Sequence, residues 1–223
     1  PEFINSQFCQ NTKRFSQITS VDFDTFIKDV FSSEDEMIEC NPQKLFGWSL
    51  SNKLVESIFI PYNNQLSSDP FRQLINKVVP TADHETWNQI KVINKSPGRL
   101  TIHMACIITR YIREEKLCLS QKQRLCLSYL LLKITDSLGW NEDKYNGITN
   151  KRYDLIRNYY HRDNNKFAIN VWNVENWDVI FPAQAQYTAN YKIYIFDYLK
   201  VKKEARKFIH RNLIHYKNYG QLI

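Results

Sequence analysis

The sequence predicts an all-α fold, a single compact multi-helix domain over residues 4–223 with about seven to nine helices. Two observations predict it. Apolar residues recur every three or four positions behind capping side chains. In addition, five glycines in 223 residues is far below the usual share of about 7%, which disfavours folds built on glycine-rich turns.

The chain opens Pro1-Glu2-Phe3 without an initiator Met. Glu-Phe is what a common restriction site encodes, so residues 1–3 read as a cloning scar and are set aside. The natural segment is then expected to start near Ile4, as an excised domain of a longer protein or as a full-length protein lacking only its Met.

Ser20 can cap a helix through Phe31, in which Val21, Phe23, Phe26, Ile27 and Val30 keep near-helical spacing. Asn41-Pro42 and Asp69-Pro70 each place a capping side chain before a proline at the first helical position, where a missing N–H costs nothing. The second of these should run to about Val79, where Pro80 stops it. From Arg99 to Leu117, Leu100, Met104, Ile107, Ile108, Tyr111 and Ile112 form an apolar stripe, and Arg99, His103, Arg110 and Arg113 the opposite side. Ser120 and Gln123 have capping-box spacing, and Leu125 to Leu138 after them is apolar nearly all round, ending at Gly139. That run is the expected central buried helix.

Thr149 can begin a helix through Tyr160. Between Lys166 and Pro182 the β-formers Phe167, Ile169, Val171, Val174, Val179, Ile180 and Phe181 lack helical spacing, so the expectation is at most a short β-hairpin near 167–181, or an ordered loop. Helical periodicity returns after Pro182 and persists to about Tyr216.

Charge is uneven along the chain. Residues 1–80 hold 7 Lys/Arg against 10 Asp/Glu, residues 81–150 hold 10 against 7, and residues 151–223 hold 13 against 6. The positive field belongs to the C-terminal third and favours an acidic partner there. No stretch reaches the roughly 18 apolar residues of a membrane span. Five cysteines, Cys9, Cys40, Cys106, Cys118 and Cys126, are odd in number and set in apolar patterns. They read as reduced thiols of an intracellular protein, nucleus and cytoplasm being equally open.

The last helix carries the strongest functional pattern. Ile195, Tyr198, Leu199, Ala205, Phe208, Ile209, Leu213 and Tyr216 make one face. Lys200, Lys203, Lys207 and Arg211 advance along another, with Lys192, Lys202, Arg206 and His210 beside them. Such a row can neutralise successive phosphates, giving salt-sensitive binding without sequence specificity. Tyrosines interleave with cations in Tyr187–Tyr198 and in Arg152–Arg162, the pattern of stacking platforms for single strands. Most of these tyrosines also keep the spacing of core-edge residues. Arg152 and Arg157 join the nucleic-acid-binding set.

A compact helix-turn-helix is disfavoured, because Gly139–Ile148 is too long for its turn. No phosphate-cradling glycine loop, nucleophile elbow, zinc-protease motif or paired CxxC occurs, so neither metal nor cofactor is expected. Asp83, His84 and Glu85, and separately Glu114-Glu115-Lys116, are polar clusters that a helix start or a solvated face already explains. The expected function is therefore a non-catalytic interaction domain that binds nucleic acid, RNA or DNA. The rival is a protein-protein scaffold or adaptor subunit anchored by exposed aromatics such as Trp48, Trp172 or Trp177.

Overall fold

The computed structural model describes residues 2–15, 22–32, 41–52, 57–59, 77–78, 97–183 and 187–214. These form seven α-helices and no strand or sheet, so the fold class is all-α. The helices are α1 (Glu2–Lys13), α2 (Phe23–Ser32), α3 (Pro42–Ser51), α4 (Arg99–Glu114), α5 (Gln121–Ser137), α6 (Asn150–Trp172) and α7 (Ile195–Phe208). A π-helical turn, Ile209–Ile214, continues α7. The contacts fall into two compact units, and each is assembled from separate stretches of chain. That interleaving is why no linker or change of composition marks a boundary between them.

The first unit takes residues 1–36, 95–153 and 187–223. Its core is built on α4, whose Met104, Ala105 and Ile108 are completely enclosed. Against them pack Phe15, Leu127 and Leu131 of α5, and Val201, Ala205, Phe208 and Leu213 from the C-terminal helix. A second apolar layer joins Phe8 of α1 to Phe23 and Phe26 of α2 and to Tyr145, with ring centroids 5.2–6.4 Å apart.

Local chemistry sets most helix starts. Asp22 caps α2 by accepting from Thr25 N at 2.8 Å; Ser20 lies outside the described residues. Asn41 caps α3 by accepting from Lys44 N, with Pro42 at the first turn, as its sequence predicts. The Ser120–Gln123 capping box is formed in both directions. Thr149 Oγ1 accepts from Arg152 N at the head of α6. Gly139 follows α5 with φ +69°, the left-handed backbone that favours glycine at a helix end. The helix expected from Asp69-Pro70 falls outside the described residues apart from Lys77 and Val78, which are helical.

Four expectations change. Residues 2–13 form a helix that the reading from Ile4 onward leaves unassigned; Ile4, Phe8, Thr12 and Phe15 recur every three or four positions and are all buried. The central helix is α4 and not the Leu125–Leu138 run, in which Leu125, Tyr129 and Leu138 are exposed and only Leu127, Ser128, Leu131 and Thr135 are buried. Phe167, Ile169 and Val171 do not start a hairpin: α6 runs on through Trp172, and Trp177–Val179 is a single 3-10 turn. Finally, helix does not resume directly after Pro182: the described residues up to Tyr194 form no helix, and α7 begins at Ile195.

The second unit takes residues 37–94 and 154–186. Phe46, Phe59, Phe167, Trp172, Trp177 and Phe181 form its aromatic cluster, with neighbouring ring centroids 4.5–6.5 Å apart. This packing explains the extra length of α6. Phe167 touches partners on several sides at once, and tertiary burial overrides a β-leaning local composition.

Candidate nucleic-acid interface

The candidate site lies on α7 and on the non-helical segment that leads into it, and α4 positions both. Arg99, at the first position of α4, is buried and reaches three ways. Its Nε donates to Asp143 Oδ2 at 2.8 Å, its Nη1 donates to the carbonyl of Lys192 at 2.5 Å, and its Nη2 stands 3.7 Å from Asp197 Oδ2. One turn on, His103 Nε2 donates to the Tyr191 carbonyl at 2.7 Å. Both residues belong to the expected polar side of α4, yet they are drawn inward because the 191–197 segment supplies their partners. Asn190 pairs with Asn146 through reciprocal backbone hydrogen bonds of 3.0 and 2.8 Å. The segment entering α7 is thus held along its length.

The same region shows why Gly98 precedes α4. Its N–H donates to Asn141 Oδ1 at 3.1 Å. A Cβ there would collide with the Trp140 carbonyl, so the close approach requires glycine.

α7 is held by Val201, Ala205 and Phe208, which recur at four and three residues and are almost fully buried. That spacing turns Lys200, Lys203 and Lys207 outward, and all three are exposed. Of these only Lys207 has an ion pair among the described residues, 2.7 Å from Glu204. Arg206, His210 and Arg211 are exposed as well. Lys202 is half-buried, 5.8 Å from the centre of the Tyr198 ring. Lys192 is exposed too, but it precedes the helix.

The π-helical turn matters to the row. Such a turn closes its hydrogen bonds one residue further along than α-helix does, and so is wider. It leaves Arg211 exposed while burying Ile209, Asn212 and Leu213. Asn212 Nδ2 donates to the Phe208 carbonyl at 2.9 Å, using an acceptor that the wider turn leaves off the α-helical ladder.

The expected apolar face of this helix is only half present. Its C-terminal part is core, but Ile195 (64%), Leu199 (55%) and, unforeseen, Phe196 (76%) are exposed, as is Tyr194 (72%) just before the helix. Tyr216 lies outside the described residues. The alternating Tyr/Lys composition of this stretch pointed towards such a surface, but it did not distinguish Phe196 from its neighbours. Tyr159 and Tyr198 are exposed as well, whereas Tyr153 and Tyr160 are buried, Tyr187 packs on Tyr153 at 4.6 Å, and Tyr191 lies under Arg152.

Arg152 and Arg157 do not join the row. Arg152 makes a two-pronged contact with Asp24, Nε to Oδ1 at 2.8 Å and Nη2 to Oδ2 at 2.6 Å. It also donates to the Gly147 carbonyl and lies 4.6 Å above the Tyr191 ring. Arg157 belongs to the second unit, where its Nη2 pairs with Asp178.

The remaining chemical candidates are dispersed. Asp83, His84 and Glu85 lie outside the described residues, whereas Glu114, Glu115 and Lys116 are exposed. Among the described residues no three His, Cys, Asp or Glu side chains converge as a metal ion needs. Burial pushes the thiols of Cys9 and Cys106 up to about 12, which holds them as inert thiols at neutral pH. A pocket of about 330 Å³ in the first unit is lined by Phe15, Ile112, Arg113, Lys116 and Arg124, among others. It has cations and no carboxylate or imidazole on its walls. Arg124 spends its Nε and Nη1 on the carbonyls of Leu119 and Phe15.

No described helix is long and apolar enough to cross a membrane. The chain matches no known protein family, no curated protein and no solved structure.

Proposed function

We propose that this chain is a non-catalytic, intracellular helical interaction domain, binding nucleic acid through the cations of α7. The observation that carries the reading is the outward row Lys200, Lys203, Lys207, continued by Arg211, in which Lys207 alone has a carboxylate partner among the described residues. Successive cations at a helical rise of about 1.5 Å per residue place charge every ~4.5–6 Å along one face, a strip on which phosphates displace their counterions. Arg152 and Arg157, each already bound to an aspartate, are left out of the interface. Cys9 and Cys106, held as thiols by burial, favour a reducing compartment.

The adaptor reading has less to stand on. Trp172 and Trp177 pack within the aromatic cluster of the second unit, which leaves Trp48 as its one exposed anchor of the three.

The test is a salt titration of binding to labelled RNA and DNA oligonucleotides. Affinity should fall steeply with salt, by about 0.7–0.9 in log–log slope for each phosphate contacted. The charge-reversed variant Lys200→Glu/Lys203→Glu/Lys207→Glu should keep its helical content and lose binding. Binding that survives the triple reversal overturns the proposal.

A further inference from the structure

We infer that the ligand of this face is a single strand, its bases stacked on Phe196 and Tyr194 and its phosphates along Lys200, Lys203 and Lys207. The inference rests on the nucleic-acid reading above and adds the kind of strand.

Three observations carry it. First, Phe196 and Tyr194 are the most exposed large apolar side chains among the described residues, at 76% and 72%. Leu199, three residues on from Phe196 in α7, is also exposed. An exposed apolar patch on an otherwise charged surface marks a contact site.

Second, the patch and the cations share one face. Phe196, Lys200, Lys203 and Lys207 follow one another at four, three and four residues within a regular helix. Phe196 therefore heads the row of cations, with about 16 Å of helix between it and Lys207.

Third, the two nearby acids are turned to other partners. Asp197 faces Arg99 and Glu204 faces Lys207, so carboxylates do not oppose an incoming anion at the head of the row. The ligand that fits must carry regularly spaced negative charge and flat apolar faces together. A single strand offers both. A duplex hides its base faces in its own stack and would leave Phe196 and Tyr194 without partners.

The test measures fluorescence anisotropy of the full chain with labelled oligouridylate, oligothymidylate and a hairpin duplex at one salt concentration. Each protein is first sedimented alone to fix its oligomeric state. The wild-type chain should bind the single strands at least ten-fold more tightly than the duplex. Tyr194→Ala/Phe196→Ala should lower single-strand affinity about 10- to 100-fold and leave the duplex affinity and its salt slope in place. Phe196→Tyr, which keeps an aromatic face, should retain the preference, and ultraviolet crosslinks to the single strand should map to residues 194–196.

Equal affinity for single strand and duplex, or a preference that survives the double alanine variant, overturns the inference and leaves the nucleic-acid reading standing. Failure of the wild-type chain to bind any nucleic acid overturns both. A wild-type dimer that becomes monomeric in the double alanine variant assigns the patch to a second copy of the chain and also overturns the inference.

Discussion

Arg152 and Arg157 stand in the sequence among tyrosines and other cations, and in the folded chain both face aspartates. For Arg152 burial works against the charge, but hydrogen bonding to Asp24 and its negative charge outweigh that cost and raise the arginine above its ordinary range. The Tyr191 ring under the guanidinium adds a cation–π contact. Sequence composition registers the charge of an arginine and is blind to a carboxylate 128 residues away. Arg152→Ala should therefore lower stability by about 2–3 kcal/mol in urea denaturation, since it removes charged hydrogen bonds and a ring contact together. The affinity of the folded variant for nucleic acid should be unchanged. A variant as stable as the parent but impaired in binding would return Arg152 to the interface.

At the scale of elements, what was legible was local. Asn41-Pro42, the Ser120–Gln123 box and Gly139 act within one turn of their own position, so their sequence spacing already contains the physics. What was hidden depended on distant partners. Leu125 and Tyr129 look like core by composition, yet the face of α5 that meets α4 is a narrow one through Leu127 and Leu131. Arg99 and His103 look like surface, yet carbonyls and carboxylates from the 143 and 191–197 segments satisfy them inside. The lysine row was readable because a solvent-facing stripe needs no partner, whereas the exposure of Phe196 was not, because periodicity groups it with ordinary helix positions.

The two faces of α7 should separate experimentally. Phe208 is 1% exposed and joins the core around α4, so Phe208→Ala should lower stability by about 3–5 kcal/mol in denaturant. Reversing Lys200 or Lys203 should leave stability within about 0.5 kcal/mol. A Phe208→Ala chain of undiminished stability would mean that α7 is not anchored as described.

For the molecule as a whole, acid should be the weakness. Burial disfavours the charged form of His103, and Arg99 acts in the same direction, against the opposing hydrogen bond to the Tyr191 carbonyl. Its folded value therefore lies below the ordinary 6.5, and the unfolded chain binds the extra proton first. The stability this group contributes is present above pH 6.5 and is lost as pH falls through the lower folded value. The hydrogen bond from Arg99 holds Asp143 below its usual 3.8 despite some burial, helped by Asn190. Its contribution is present above 3.8 and disappears only in stronger acid. Asp143 is half-exposed, so solvent screening keeps its share small. The denaturation midpoint should then be flat between about pH 6.5 and 8 and decline below that range, and it should fall again above pH 9.0, where the thiols of Cys9 and Cys106 ionise first in the unfolded chain. His103→Gln should remove the upper part of that decline, and a midpoint that rises between pH 7 and 5 would contradict the assignment.

Tyr153 and Tyr187 stack at 4.6 Å, and Asn150 accepts from Tyr187 N at 2.8 Å, so the chain leaves the first unit and re-enters it through a narrow doorway. The 33 or so residues between are a closed excursion whose two ends are already joined, and the entropy of closing a loop grows only slowly with its length. Excising that excursion alone would strip Phe46 and Phe59 of Phe167, so the 37–94 and 154–186 stretches are bound to be kept, lost or exchanged together.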